Sequence, residues 1–140
     1  MAFTVDAKNA ILRELTGVAG TAFDFNKIWM GLGSLSGGEF VELTDAVASG
    51  YLRKQVGDPS VPALQLFSAP SAGSVVNAYD IQFARSLAAW TGVEITHAAL
   101  FTASSGGTQL TLDALTSSIS GIGADVIVVI PAGSCTISFN

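Results

Sequence analysis

The sequence predicts an all-β protein, a jelly-roll-like β-sandwich of about eight strands preceded by one N-terminal helix. Three observations carry this expectation. Helical spacing of apolar residues is confined to the first 17 positions. Beyond residue 25, apolar and polar residues alternate in short stretches, most clearly over residues 93–102. Clusters of Gly, Pro, Ser and Asp separate those stretches, as turns separate strands. A length of 140 residues suits one domain, with the helix at 1–17 and the sandwich at 25–140.

Thr4 is placed to cap the helix and Asp6 falls in its first turn, where a carboxylate meets free backbone N–H groups. Val5, Ile11, Leu12 and Leu15 supply its apolar positions, and Gly17 and Gly20 end it. The first strand is expected over residues 26–32, with Ile28, Met30 and Leu32 alternating against Lys27, Trp29 and Gly31. Residues 33–38 read as a flexible glycine loop, and residues 39–49 as either a strand or a short helix. Strands follow at 51–56, closed by Gly57-Asp58-Pro59, and at 63–67. Residues 70–74 form a turn cluster, and residues 79–84 set Ile81 and Phe83 on one face.

Over residues 93–102, Val93, Ile95, His97, Ala99 and Phe101 point to one side and Glu94, Thr96, Ala98, Leu100 and Thr102 to the other. Residues 104–107 turn the chain into a strand at 108–112, and residues 112–120 read as helix or loop. The apolar run at 125–130 reads as a strand covered on both faces. Pro131-Ala132-Gly133 reverses the chain into residues 134–139, where Cys135, Ile137 and Phe139 share a side.

Charge and hydropathy constrain function. Charged residues make up 12% of the chain, against about 25% in ordinary soluble domains, and the mean hydropathy is +0.53. The longest apolar run, residues 126–131, is far shorter than the roughly 20 residues that span a bilayer, and no basic segment leads into an apolar one as in a signal peptide. The expectation is therefore a chain without membrane association that hides apolar surface against protein partners. All six basic residues lie in the first 85 positions, and the remainder carries only Glu94, Asp113 and Asp125. A net charge of −5 without a basic cluster argues against nucleic acid as a partner.

The candidates for chemistry are sparse. His97, the only histidine, could act as a general base or metal ligand, but it lacks the neighbouring ligands a metal requires and reads as a core or interface histidine. His97, Asp113 and Ser104-Ser105 could be written as a triad, yet no nucleophile elbow frames either serine. Residues 31–38 lack the lysine and following helix of a phosphate loop. Trp29, Trp90, Tyr51 and Tyr79 could stack on sugars, or could be core. A single cysteine, Cys135, cannot form an intrachain disulfide and alternates as a small buried hydrophobe. The reading is a non-enzyme with no catalytic residues, no metal and no cofactor.

Asp80-Ile81-Gln82-Phe83, Trp90, Ile95-Thr96-His97-Ala98-Ala99-Leu100-Phe101, then Gly106-Gly107 and Leu110 form an ordered string. It resembles a family of small tailed-phage structural proteins, called tail-fibre-like or virion structural proteins, with the pattern N-x-I-x-F, W-G, I-T-H-x-x-L/I-F-D-A, G-G-x-L. Asn9-Ala10-Ile11-Leu12, Ile28-Trp29-Met30-Gly31-Leu32, Gly50-Tyr51-Leu52-Arg53-Lys54, Gly123-Ala124-Asp125-Val126 and Pro131-Ala132-Gly133 are similar to further family segments, in order. The chain departs from the pattern at Gly92-Val93-Glu94, at Thr102 in place of an aspartate, and in a longer segment at 58–75.

The resemblance implies a virion protein assembled in the host cytoplasm, in which Trp90, Thr96, His97, Phe101, Gly106 and Gly107 are structural. The first expectation is a capsid decoration or cement protein that stabilises the head by clamping neighbouring major capsid subunits. A tail-fibre or appendage adaptor contacting tail components is the alternative, and a carbohydrate-binding host-attachment module the second. A homotrimer is expected. The candidate assembly interface is Val126, Val128, Val129 and Ile130, the apolar run in the charge-poor C-terminal part.

Overall fold

The computed structural model describes residues 1–19 and 27–138. Its strands are β1 (Ala2–Phe3), β2 (Ile28–Ser36), β3 (Glu39–Glu42), β4 (Lys54–Gly57), β5 (Ser74–Val76), β6 (Ile81–Gln82), β7 (Glu94–Phe101), β8 (Gln109–Ser120), β9 (Val129–Ile130) and β10 (Thr136–Ser138), with one α-helix, α1 (Val5–Thr16). The fold is all-β with a single N-terminal helix, as the alternation and the early helical spacing imply. Antiparallel pairing builds one six-stranded sheet in the order β1-β8-β7-β2-β3, with β4 also on β2, and two small sheets, β5 with β10 and β6 with β9.

The register sorts the side chains of the large sheet. Met30 partners Leu100 and Leu32 partners Ala98, and all four join the buried core with Ile81, Ile130, Cys135 and Ala7 from the elements packed over that face. Trp29, Gly31 and Gly33 partner Phe101, Ala99 and His97 on the opposite face. The alternation expected through residues 93–102 is broken by an irregularity between Ile95 and His97. Ile95 therefore shares the core with Ala98 and Leu100 and not with His97.

Several local expectations are corrected. Residues 33–36 are not a loop: β2 continues to Ser36 and turns through Gly37-Gly38 into β3. Glycine at 33 is needed for close approach of the partner backbone, since a Cβ there would lie 2.1 Å from the Val41 carbonyl oxygen. Residues 62–64 form a 3-10 turn, Pro at its start, where a strand was expected over 63–67. Residues 112–120 are strand, continuous with β8, because Leu115 and Ile119 pack partly into the core while Ser and Thr face outward. The ladder in residues 125–130 shortens to Val129–Ile130. Gly20, Asn26 and Phe139, cited above for element ends, lie outside the described residues.

Thr4 caps α1, its hydroxyl accepting the Ala7 N–H at 3.2 Å, and Gly17 closes it at φ 67°. The same hydroxyl donates to the Gln109 carbonyl at 2.8 Å, which fixes the helix start on β8. The helix packs through the small side chains Ala7 and Ala10, whereas Val5, Leu12 and Leu15 are exposed.

A two-residue turn, Ala72-Gly73, joins Ser71 to Ser74, with φ 49° and 76°. Positive φ at both positions favours Asn-Gly, and alanine there carries left-handed strain of about 1 kcal/mol. Ala72→Asn should stabilise the fold by about 0.5–1 kcal/mol, visible as a rise of about 2–4 °C in the thermal unfolding midpoint.

Candidate assembly surface

Three of the motif segments, through Arg53, Phe101 and Gly106, meet in one cluster on the large sheet. Arg53 is the centre. Its Nε and Nη2 donate to Glu42 Oε1 and Oε2 at 2.7 and 2.6 Å. Nη1 donates to the Ala103 and Gly106 carbonyls at 2.8 and 2.7 Å. The guanidinium lies 3.5 Å over the Phe101 ring, with Phe40 against the same ring at 6.1 Å. The Arg53 side chain is 7% exposed and that of Glu42 22%, so solvent screens this pair far less than a surface one.

Glu42 Oε1 also accepts the Tyr51 hydroxyl at 2.9 Å, and that hydroxyl accepts the Leu32 N–H at 2.9 Å. Leu32 lies between the stretches of β2 that pair with β4 and with β3. Tyr51 thus satisfies a backbone group the ladder would leave open. Burial, reinforced by the Glu42 charge, raises the Tyr51 pKa and keeps the phenol protonated. Trp90 packs edge-on to Tyr51 at 6.3 Å and donates to the Ser49 carbonyl at 3.0 Å. The arrangement joins β2, β3, the Tyr51–Arg53 segment and the 103–107 loop.

Two buried residues that the sequence reading missed hold the smaller sheets. Asn77 donates from Nδ2 to the Tyr79 and Pro131 carbonyls at 3.0 and 2.8 Å, and its Oδ1 accepts the Cys135 N–H at 2.8 Å. Ser86 donates to the Gly123 carbonyl at 2.7 Å and accepts the Val126 N–H at 2.9 Å. Asparagine and serine in turn-rich sequence carry no signal of burial; only the tertiary partners reveal their roles.

Of the interface candidates, Val128 and Ile130 face the chain's own core at 4% and 7% exposure. Val129 is half-buried, and Val126 and Ile127 are outward at 39% and 37%. From Val128 to Ile130 the run alternates, and the side that carries Val128 and Ile130 is covered from within the chain. His97 is half-buried, with Nδ1 2.8 Å from Thr96 Oγ1. Asp113 lies 3.8 Å from the N-terminal ammonium, and Ser104-Ser105 occupy an exposed bend. Trp90 and Tyr51 are core residues, while Tyr79 is 63% exposed, so the four aromatics form no common platform. Burial pushes the Cys135 thiol up to about 11, so it stays protonated. Among the described residues, no cluster of His, Cys, Asp and Glu is arranged to hold a metal, and no helix is long and apolar enough to cross a membrane.

An exposed apolar surface lies elsewhere, along α1. Val5, Leu12 and Leu15 are 70%, 56% and 78% exposed. A groove of about 840 Å³ runs between this helix and the β1 and β10 strands. Phe3 and Ile11 line it together with Leu12 and Leu15, and Ser134, Thr136 and Ser138 form the opposite wall.

No curated protein matches the chain. The model of one protein family, described as podophage GP4 fiber I protein gp80, matches residues 2–138. That match takes in the motif segments, the arginine-centred cluster they build and the strands that carry the apolar run. The chain belongs to this family of phage fibre proteins and is a structural component of the bacteriophage virion.

Proposed function

We propose that this chain is a non-enzymatic tail-fibre or appendage component that works by assembling with copies of itself, as a homotrimer, and with other tail proteins. The single observation that carries the reading is the match to a fibre-protein family over residues 2–138. It reverses the order drawn from sequence, where a capsid decoration protein came first and a tail-fibre or appendage adaptor second. Low charge (12% of residues) supports attachment through apolar contacts, which salt does not weaken.

The test is where, and how often, the chain occurs in purified particles. Quantitative mass spectrometry against the major capsid protein should give on the order of ten copies per particle, the number that tail symmetry supplies, and labelled antibody should mark the tail. Hundreds of copies on the head would overturn the fibre reading in favour of decoration. The chain should also remain bound when salt is raised to about 1 M, where the Debye length is ~3 Å; clean release would overturn the apolar-contact account.

A further inference from the structure

The groove beside α1 has two walls of different chemistry. The helix wall presents Leu12 and Leu15 with Lys8 among them, and the strand wall presents the hydroxyls of Ser134, Thr136 and Ser138 with Asp113 at the groove. Val5, Lys8, Leu12 and Leu15 are spaced by three, four and three residues, so they form one stripe along the helix. The stripe is not what holds α1 to the sheet, because Ala7 and Ala10 do that. Leucine at 78% exposure is unfavourable in water and gains by cover, each buried side chain contributing to association in proportion to the area removed from solvent.

We infer that α1 and its groove are a self-association face, in which the helix of a second copy of this chain lies along the groove, Leu12 and Leu15 covered and Lys8 of each copy directed at Asp113 of another. The charges identify the occupant. Copies of a chain with net charge −5 repel one another except where a basic group of one meets an acidic group of the next. Lys8 and Arg13 are exposed on α1, and Lys8 makes no ion pair among the described residues. The strand wall carries Asp113, whose side chain is 56% exposed and only loosely engaged, 3.8 Å from the Met1 ammonium. The helix thus brings an apolar stripe and a cation to a groove with apolar lining and an anion, and a second copy supplies that helix in equal number.

This rests on the reading that copies of the chain assemble with one another, and it names the surface. The purified chain is examined by sedimentation velocity over a range of concentrations, alongside Leu12→Asp/Leu15→Asp, Lys8→Glu, Asp113→Lys and the exchanged pair Lys8→Glu/Asp113→Lys. The wild type should sediment as an oligomer. The double leucine variant should run at the monomer mass at concentrations where the wild type is assembled, with an unchanged far-ultraviolet circular dichroism spectrum, since neither side chain contributes to the core. Each single charge variant should weaken assembly at least tenfold, and the exchanged pair should recover most of the loss. A wild type that is monomeric throughout would overturn the self-assembly reading itself. Assembly that survives the leucine substitutions would overturn the α1 face while leaving that reading intact. Failure of the exchanged pair to recover would overturn the Lys8–Asp113 contact.

Discussion

Arg53→Met is expected to destabilise the fold by about 3–5 kcal/mol, the cost typical of removing one partner from a buried ion pair. Glu42 would keep the Tyr51 hydroxyl at 2.9 Å but lose both guanidinium donors. The Ala103 and Gly106 carbonyls would lose the donor that now holds their loop. Methionine fills similar volume above the Phe101 ring, so the loss reports charge and hydrogen bonding more than a cavity. The midpoint of urea unfolding should fall with the slope unchanged, and amides in residues 103–107 should exchange faster than those of β7. Adding Glu42→Gln should recover part of the loss, because the uncompensated carboxylate is then gone. An Arg53→Met protein as stable as the wild type would show the cluster to be incidental to the fold.

Gly33→Ala is the second large effect. The added methyl would sit 2.1 Å from the Val41 carbonyl oxygen and 2.9 Å from the Glu42 Cα. Both are backbone atoms of the strand that pairs with β2, so no rotamer change relieves the overlap. The hairpin must open at the Gly33–Glu42 pair, which also displaces the carboxylate that Arg53 grips. A loss of about 3 kcal/mol is expected, at the upper end for overpacking. Gly57→Ala is the matched control. Its nearest neighbour would be the Ile28 Cβ at 3.6 Å, an ordinary contact, so its stability should stay within about 0.5 kcal/mol of the wild type. Equal melting points for the two variants would refute the close-approach role of Gly33.

These two positions illustrate what sequence can and cannot carry. The fold class was legible because period-two alternation and turn residues are local signals, and β2, β7 and β10 lie close to where they predict. Ser and Thr in residues 116–120 blurred the β8 extension, since only pairing of Ser120 with Glu94 and Ile119 with Ile95 makes it a strand. Composition does not show which side of the apolar run at 126–130 faces the chain's own core; the burial of Val128 and Ile130 does. The helix was foreseen, but its spacing left open which side chains meet the sheet, and close approach to the sheet favours the small Ala7 and Ala10. Arg53 and Glu42 stand 11 residues apart with no periodic relation, and only the pairing of both β3 and β4 with β2 brings them together.

The pairing of β1 with β8, and of β5 with β10, also governs when the fold can form. Residues 2–3 pair with 111–112, and residues 74–76 with 136–138. Each closure must restrict a long stretch of chain before its own contacts compensate. Folding dominated by such distant pairings falls in the millisecond-to-second range. On the ribosome, the hairpin of β2 with β3 can form early. Residues 2–3, though made before β8, have no strand to join until residues 111–112 have emerged, and the β5 edge waits for β10. Residues 2–3 thus dock late although they precede the sheet in the chain, and α1 stays apart from β8 until then.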